Sequence, residues 1–174
     1  MRAGLNGARS GLFMEQIRII QEMRDADRKS GRTGIHIRPR FGIWENVVGA
    51  LSSGRDAETG QKKPGADFQK VLEAFLQVEE PHLHVVRPET GRWEYAGGIL
   101  GVRSSMAWIV WDAQHFGVPQ RCRRVFLVAD FAGYSAIPIL AIPDSVPGYP
   151  APRSLPRQIA ATLIGSSFAY AGRA

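Results

Sequence analysis

Arg38-Pro39-Arg40-Phe41-Gly42-Ile43-Trp44-Glu45-Asn46-Val47 is the segment from which the rest of the chain is read outward. Pro39 has no backbone donor and a fixed φ, so no helix runs through it, and Arg38 before it is driven to an extended backbone. Phe41, Ile43 and Trp44 then predict a short buried strand, which the chain leaves at Glu45-Asn46. A carboxylate and an amide at the exit of a buried strand, beside a tryptophan, stand where open α/β sheets bind their ligands. The competing reading is an acidic residue that merely begins a surface loop, since carboxylates are mostly exposed. A second segment weighs against it: Phe116-Gly117-Val118-Pro119-Gln120-Arg121-Cys122-Arg123-Arg124-Val125-Phe126 is a turn, then a basic run, then another hydrophobic strand.

The chain has 174 residues, 44% of them hydrophobic and 22% charged. That is globular composition, and enough chain to bury a core. A net charge of +6 favours a polyanionic partner, nucleic acid first. No apolar run approaches the roughly 20 residues of a membrane-spanning helix, and no apolar N-terminal segment marks the chain for secretion. One cysteine forms no internal disulfide and fits a reducing cytoplasm. The four histidines and one cysteine show no metal-ligand spacing, so no metal is expected.

Met1 to Arg9 reads as loop and Ser10 as the N-cap of a helix ending between Asp25 and Lys29. Leu12, Phe13, Ile17, Ile20 and Met23 form its buried face, with Arg18 and Arg24 on solvated faces. Ser52 to Ala66 is polar and reads as a mobile connection. Asp67 caps a second helix, lined by Phe68, Val71, Leu72, Phe75 and Leu76 and stopped by Pro81. His82 to Leu100 reads as extended or loop, punctuated by Gly97-Gly98. Ala107 to Trp111 and Val125 to Val128 read as two buried strands, joined closely enough to lie antiparallel. Helix, strand, helix and hairpin fit the second half of a doubly wound α/β sheet. From Ala132 onward, prolines at 138, 143, 147, 150, 152 and 156 interrupt every candidate element, leaving a linker with a short helix from Arg157 to Ile164.

These segments together resemble the C5-cytosine DNA methyltransferases, with the phage-associated branch the most similar. In that family a Glu-Asn-Val triplet ends one strand, and a Gln-x-Arg-x-Arg signature after Gly-Val-Pro opens another. The resemblance continues through Arg9 to Phe13, Val48 to Ser53, Asp67-Phe68 with Val71-Leu72, and Trp108 to Asp130. It covers residues 2–131 and implies that residues 1–131 are part of a catalytic domain; residues 132–174 follow as a proline-rich linker or the start of a truncated target-recognition region. The implied fold is the second half of a Rossmann-like methyltransferase sheet, with an antiparallel hairpin at one edge.

The resemblance also implies a chemistry. A cysteine thiolate adds to C6 of a cytosine flipped out of double-stranded DNA, and C5 of the resulting enamine takes the methyl group of S-adenosylmethionine. Addition loads negative charge onto N3 and O2 of the ring. By resemblance, Glu45 is the acid at N3 and Arg124 the cation at O2. Asn46 braces the strand end, Gln120 pins the turn, Arg121 and Arg123 bind DNA, and Leu12 lines the cofactor pocket. A grip on phosphate by Arg121, Arg123 and Arg124 needs no catalysis and remains the alternative for those residues.

Three parts of the family pattern have no counterpart here. The Pro-Cys nucleophile loop should lie just before Arg2-Ala3-Gly4-Leu5. The glycine-rich cofactor loop belongs to the half before it, and the recognition domain should follow Asp130. Cys122 falls at the first Arg of the signature. The expected protein is therefore a truncated methyltransferase, inactive by itself and marginally stable, because the strands at Phe41-Trp44 and Ala107-Trp111 would lack neighbours. Two alternatives stand beside it. One is half of a split enzyme whose second polypeptide supplies the missing parts. The other is a non-catalytic basic module that binds DNA through Arg38, Arg40, Arg121, Arg123 and Arg124.

Overall fold

In the computed structural model, residues 8–56, 58–116, 120–141 and 160–161 are described. Helix α1 spans Ala8–Lys29, strand β1 Phe41–Val47, helix α2 Ala66–Leu76, β2 Ala96–Leu100, β3 Ser105–Asp112, β4 Arg123–Asp130, helix α3 Ala136–Leu140, and a two-residue β5 Ala160–Ala161. The sheet order is β1-β4-β3-β2-β5. Strands β1 to β4 pair antiparallel throughout, and the short β2–β5 ladder is parallel.

The β3–β4 hairpin is present, but it is not at an edge as expected. Strand β4 lies between β1 and β3, so the hairpin forms the middle of the sheet and β1 an outer strand among the described residues. Helices α1 and α2 cover one face: Phe13, Ile17 and Ile20 of α1 join Phe68, Leu72 and Phe75 of α2 over Trp108, Leu127 and Val125. On the opposite face Ala136 and Leu140 of α3 cover Ala107, Ile109 and Val128. Helices therefore flank an α/β sheet on both sides. The small helix α3 packs on β3, β4 and β2, which among the described residues leaves β1 bare on that side, with Ile43 62% and Val47 49% exposed. Of the two strands expected to lack cover, β1 does and β3 does not. Phe41 and Ile43 belong to a half-covered strand rather than a buried one.

Several local expectations are corrected. Helix α1 begins at Ala8, so Ser10 is inside it, while residues 1–7 lie outside the described residues. Leu12 and Met23 are exposed. Arg24 is fully buried: Nε donates to Glu79 at 2.9 Å, and the guanidinium also reaches the carbonyls of Ile37, Pro39 and Phe131. It ties α1 to the entry of β1 and the exit of β4, lying 5.2 Å from the centre of the Phe131 ring.

The connection before α2 is not structureless. Arg55 bridges Lys62, and the Asp56 carboxylate accepts from the Glu58 and Thr59 amides, which hold its pKa down to about 2. Gly65, not Asp67, is the N-cap of α2, with φ 77°. A side chain there would strike the Gly91 carbonyl and the Trp93 indole. The helix ends at Leu76, before Pro81.

Gly97-Gly98 lies within β2. Gly97 faces Trp108 across the ladder, and the indole ring fills the space a Cβ would need. Pro138 does not prevent α3: with Ser135 as N-cap it falls in the first turn, where an amide has no intrahelical acceptor. Ala160 and Ala161 are strand rather than the expected helix, and the remainder of 142–174 lies outside the described residues.

The far end of β1 is locked by Arg40, whose Nε and Nη2 atoms donate to the two oxygens of buried Asp130 at 2.9 and 2.8 Å. Burial pushes the Asp130 carboxyl up. The Arg40 guanidinium and the amides of Ala132 and Ser135 outweigh it and hold the pKa below the ordinary value.

Candidate active site

Side chains alternate between faces along a strand, and this sorts the expected site residues. Glu45 lies opposite Phe126, and Val47 opposite Arg124, in the β1–β4 ladder; Arg124 also lies opposite Trp111 in the β3–β4 ladder. Glu45, Arg124, Phe126 and Trp111 therefore share the face away from α1 and α2. Asn46 and Arg123 are on the other face. The resemblance grouped all of these, and the sheet divides them.

Glu45 and Arg124 meet. Arg124 Nε lies 2.9 Å from Glu45 Oε1, with the two side chains 40% and 47% exposed. Beside them the Trp111 and Phe126 ring centres are 5.1 Å apart, and Phe116 stands 5.7 Å from Trp111. The result is an aromatic platform with a carboxylate and a guanidinium at its edge. The indole N–H of Trp111 is buried with no hydrogen-bond partner among the described residues. Sequence reasoning placed Trp111 only in a buried strand. Its position directly opposite Arg124 follows from the hairpin register, which no local signal discloses.

The remaining expected residues are less engaged. Asn46 Oδ1 accepts from the Val47 amide at 2.8 Å, a bond to its own neighbour that shapes the strand exit without bracing another element. Gln120 and Arg121 are exposed, and no hydrogen bond of the Gln120 side chain is seen among the described residues; the Gly117-Val118-Pro119 turn it was to pin lies outside them. Cys122 is half-buried, its amide donating to Asp112 Oδ1 at 3.0 Å.

Leu12 is 72% exposed and lines neither of the two described cavities. Arg40 is committed to Asp130, and Arg38 precedes β1 at the end remote from Arg123 and Arg124. The five arginines of the basic-module reading therefore do not form one patch. Among the described residues no group of three or more His, Cys, Asp or Glu could hold a metal ion, and no helix is long and apolar enough to cross a membrane.

A cavity of about 420 Å3 opens beside the same strand end, on the α2 side. Val48, Leu51 and Ser52, from the turn that follows β1, form one wall and Arg92 to Tyr95 the other. The guanidinium of Arg123 lies 4.5 Å from the Tyr95 ring centre. Sequence reasoning passed over Tyr95 and Arg92. Two aromatic residues alternating with charged ones in Arg92-Trp93-Glu94-Tyr95 were the available signal.

No family profile matches the chain, and no solved structure matches it. Among curated proteins it is similar to a DNA N-6-adenine-methyltransferase of Escherichia phage P1, 28% identical over 190 residues. The match takes in 99% of this chain and 23% of the relative, so the chain spans about a quarter of that protein's length. The relative's name describes the whole of the longer protein. What the comparison establishes is likeness to a section of a phage DNA methyltransferase.

Proposed function

We propose that this chain is a section of an S-adenosylmethionine-dependent DNA methyltransferase, in which Glu45 and Arg124 engage the polar edge of a flipped cytosine. The observation that carries the reading is the Glu45–Arg124 pair at the rim of the Trp111–Phe126 platform. A pyrimidine is a flat ring with a polar edge at N3 and O2. The platform offers stacking for the ring, and the two side chains offer a donor to each polar atom.

When a nucleophile adds to C6, negative charge develops on N3 and O2. A protonated Glu45 carboxyl donates to N3, and an Arg124 N–H donates to O2. A base entering between the two side chains breaks their ion pair; the Glu45 carboxylate takes up a proton from solvent as it loses the guanidinium, and the two hydrogen bonds to N3 and O2 strengthen as charge builds. Such acid assistance contributes about 10²–10⁴-fold in rate. The nucleophile and the methyl donor's cradle come from other sequence, either a longer protein that contains this section or a second polypeptide. In that arrangement the chain's own part is to orient the base and take up its developing charge.

A second reading is transfer to the N6 amine of adenine, favoured by the name of the phage relative. It leaves Glu45 and Arg124 without a ring edge that needs both an acid and a cation. The two are separated by supplying the chain with a polypeptide that carries a nucleophile loop and a cofactor cradle, then giving the mixture labelled S-adenosylmethionine and duplex DNA. Label in 5-methylcytosine supports the first reading; label in N6-methyladenine supports the second.

A further inference from the structure

The cavity at the end of β1 has features that the Glu45–Arg124 chemistry does not use. Its floor is rigid: Trp93 is 5% exposed, its indole N–H donates to the Gly65 carbonyl at 2.9 Å, and its ring stands edge-on to Phe68 and Trp108 at 5.5 and 5.8 Å. Its rim is soft and cationic. Tyr95, immediately before β2, is 47% exposed. Arg123 lies over its ring, and Arg92 is exposed on the same wall. No ion pair to a carboxylate is seen for either arginine among the described residues, as for Arg38, Arg55, Arg87, Arg103 and Arg121, but these two stand at the Tyr95 wall. The acidic residue of that wall is Glu94, also exposed.

An exposed aromatic ring flanked by two cations without carboxylate partners, over a rigid apolar floor, suits a base with its phosphate. Protein sites that hold unpaired nucleic acid combine these two components, stacking for the base and charge for the backbone. A volume of about 420 Å3 falls in the common range of about 300–1,000 Å3 for ligand sites. Arg123 and Arg124 are neighbours in β4 pointing to opposite faces, so a DNA strand crossing this end of the sheet meets both clusters in succession.

We propose that the cavity holds the nucleotide adjacent to the flipped one, its base stacked on Tyr95 and its phosphate held by Arg92 and Arg123. This extends the cytosine reading and rests on it for the identity of the neighbouring nucleotide. The site is a positioning device: it fixes the strand so that the next base is delivered to Glu45.

The test is fluorescence anisotropy with the full chain and a labelled single-stranded DNA 12-mer at several salt concentrations. Tyr95→Ala weakens binding about tenfold or more, as loss of one stacked base does, with its salt dependence unchanged, while Tyr95→Phe binds like the parent. Arg92→Gln and Arg123→Gln each lower the slope of log affinity against log salt by about 0.7. Deoxycytidine monophosphate competes only weakly, because the site reads a nucleotide held within a strand. Unchanged binding by Tyr95→Ala overturns the proposal. So does a Tyr95→Phe protein as weak as Tyr95→Ala, since the hydroxyl rather than the ring would then be responsible. Complete competition by the free nucleotide at its strand-equivalent concentration overturns the assignment to DNA. Tyr95→Leu, which keeps the bulk, supplies the same comparison if the alanine protein unfolds. Loss of the Tyr95 effect in a protein that does yield 5-methylcytosine refutes this inference alone. A Tyr95-dependent contact without 5-methylcytosine refutes the catalytic reading alone.

Discussion

Arg124 reaches diagonally across the β1–β4 ladder to Glu45, from the position opposite Val47 to the residue opposite Phe126, and closes to 2.9 Å. Diagonal positions are about 7–8 Å apart at their backbones, a gap that only a long side chain spans. Both partners are nearly half exposed, so the pair contributes only about 0.2–1 kcal/mol to stability. An ion pair of that strength is cheap to open, which is what an entering base requires. A double-mutant cycle of Glu45→Gln and Arg124→Gln in urea unfolding is expected to show a coupling within that range. A coupling of several kcal/mol would recast the pair as a structural clasp.

Arg24 stands in contrast. Its removal leaves the carbonyls of Ile37, Pro39 and Phe131 without their donor and Glu79 with Arg28 alone. Arg24→Met is expected to cost about 3 kcal/mol. Arg18→Ala, at an exposed position on the same helix, is expected to stay within about 0.5 kcal/mol. Urea midpoints of the two variants make the comparison, and equal shifts would contradict it.

How much of the molecule is legible in its sequence differs from residue to residue. Positions 13, 17, 20 and 24 form one stripe of a helix, so the buried face of α1 is visible in the spacing. The identity of Arg24 hides its membership, and Leu12 and Met23, each one position off the stripe, read as core in its place. Strand β1 is legible as a strand from Pro39 and the residues after it. Its bare face is not, because Phe41 and Ile43 read the same whether covered or open. The order β1-β4-β3 is also hidden. Sequential strands usually lie side by side, and insertion of β4 beside β1 depends on long-range pairing. Within the site, the meeting of Glu45 with Arg124 is anticipated from the family motif. The Trp111–Phe126 platform and the Tyr95 cavity need the register.

The Arg40–Asp130 clasp predicts a pH dependence. The native carboxyl binds its proton less readily than the unfolded one, whose pKa is about 3.9. Its contribution is therefore fully present above that value and is lost as pH falls through the lower native pKa. Asp130→Asn should cost about 3 kcal/mol at neutral pH and flatten the acid limb of the stability profile below about pH 4. Parallel profiles for parent and variant would remove Asp130 as the cause.

Gly97 offers a packing test. Any side chain there collides with the Trp108 ring, which is itself held between Phe68 and Trp93. Gly97→Ala is expected to lose about 1–3 kcal/mol through overpacking, read from the thermal midpoint. Gly49→Ala meets nothing within 4 Å and should be close to neutral.

The central claim is that Glu45 supplies a proton to a pyrimidine ring. It is tested most directly by single-turnover methyl transfer to cytosine-containing duplex DNA, comparing parent and Glu45→Gln proteins, each supplied with the nucleophile and cofactor parts. The account predicts 5-methylcytosine from the parent and a rate about 10²–10⁴-fold lower from the variant, with stability lowered by no more than about 1 kcal/mol. A Glu45→Gln protein that forms 5-methylcytosine at the parent rate would contradict it.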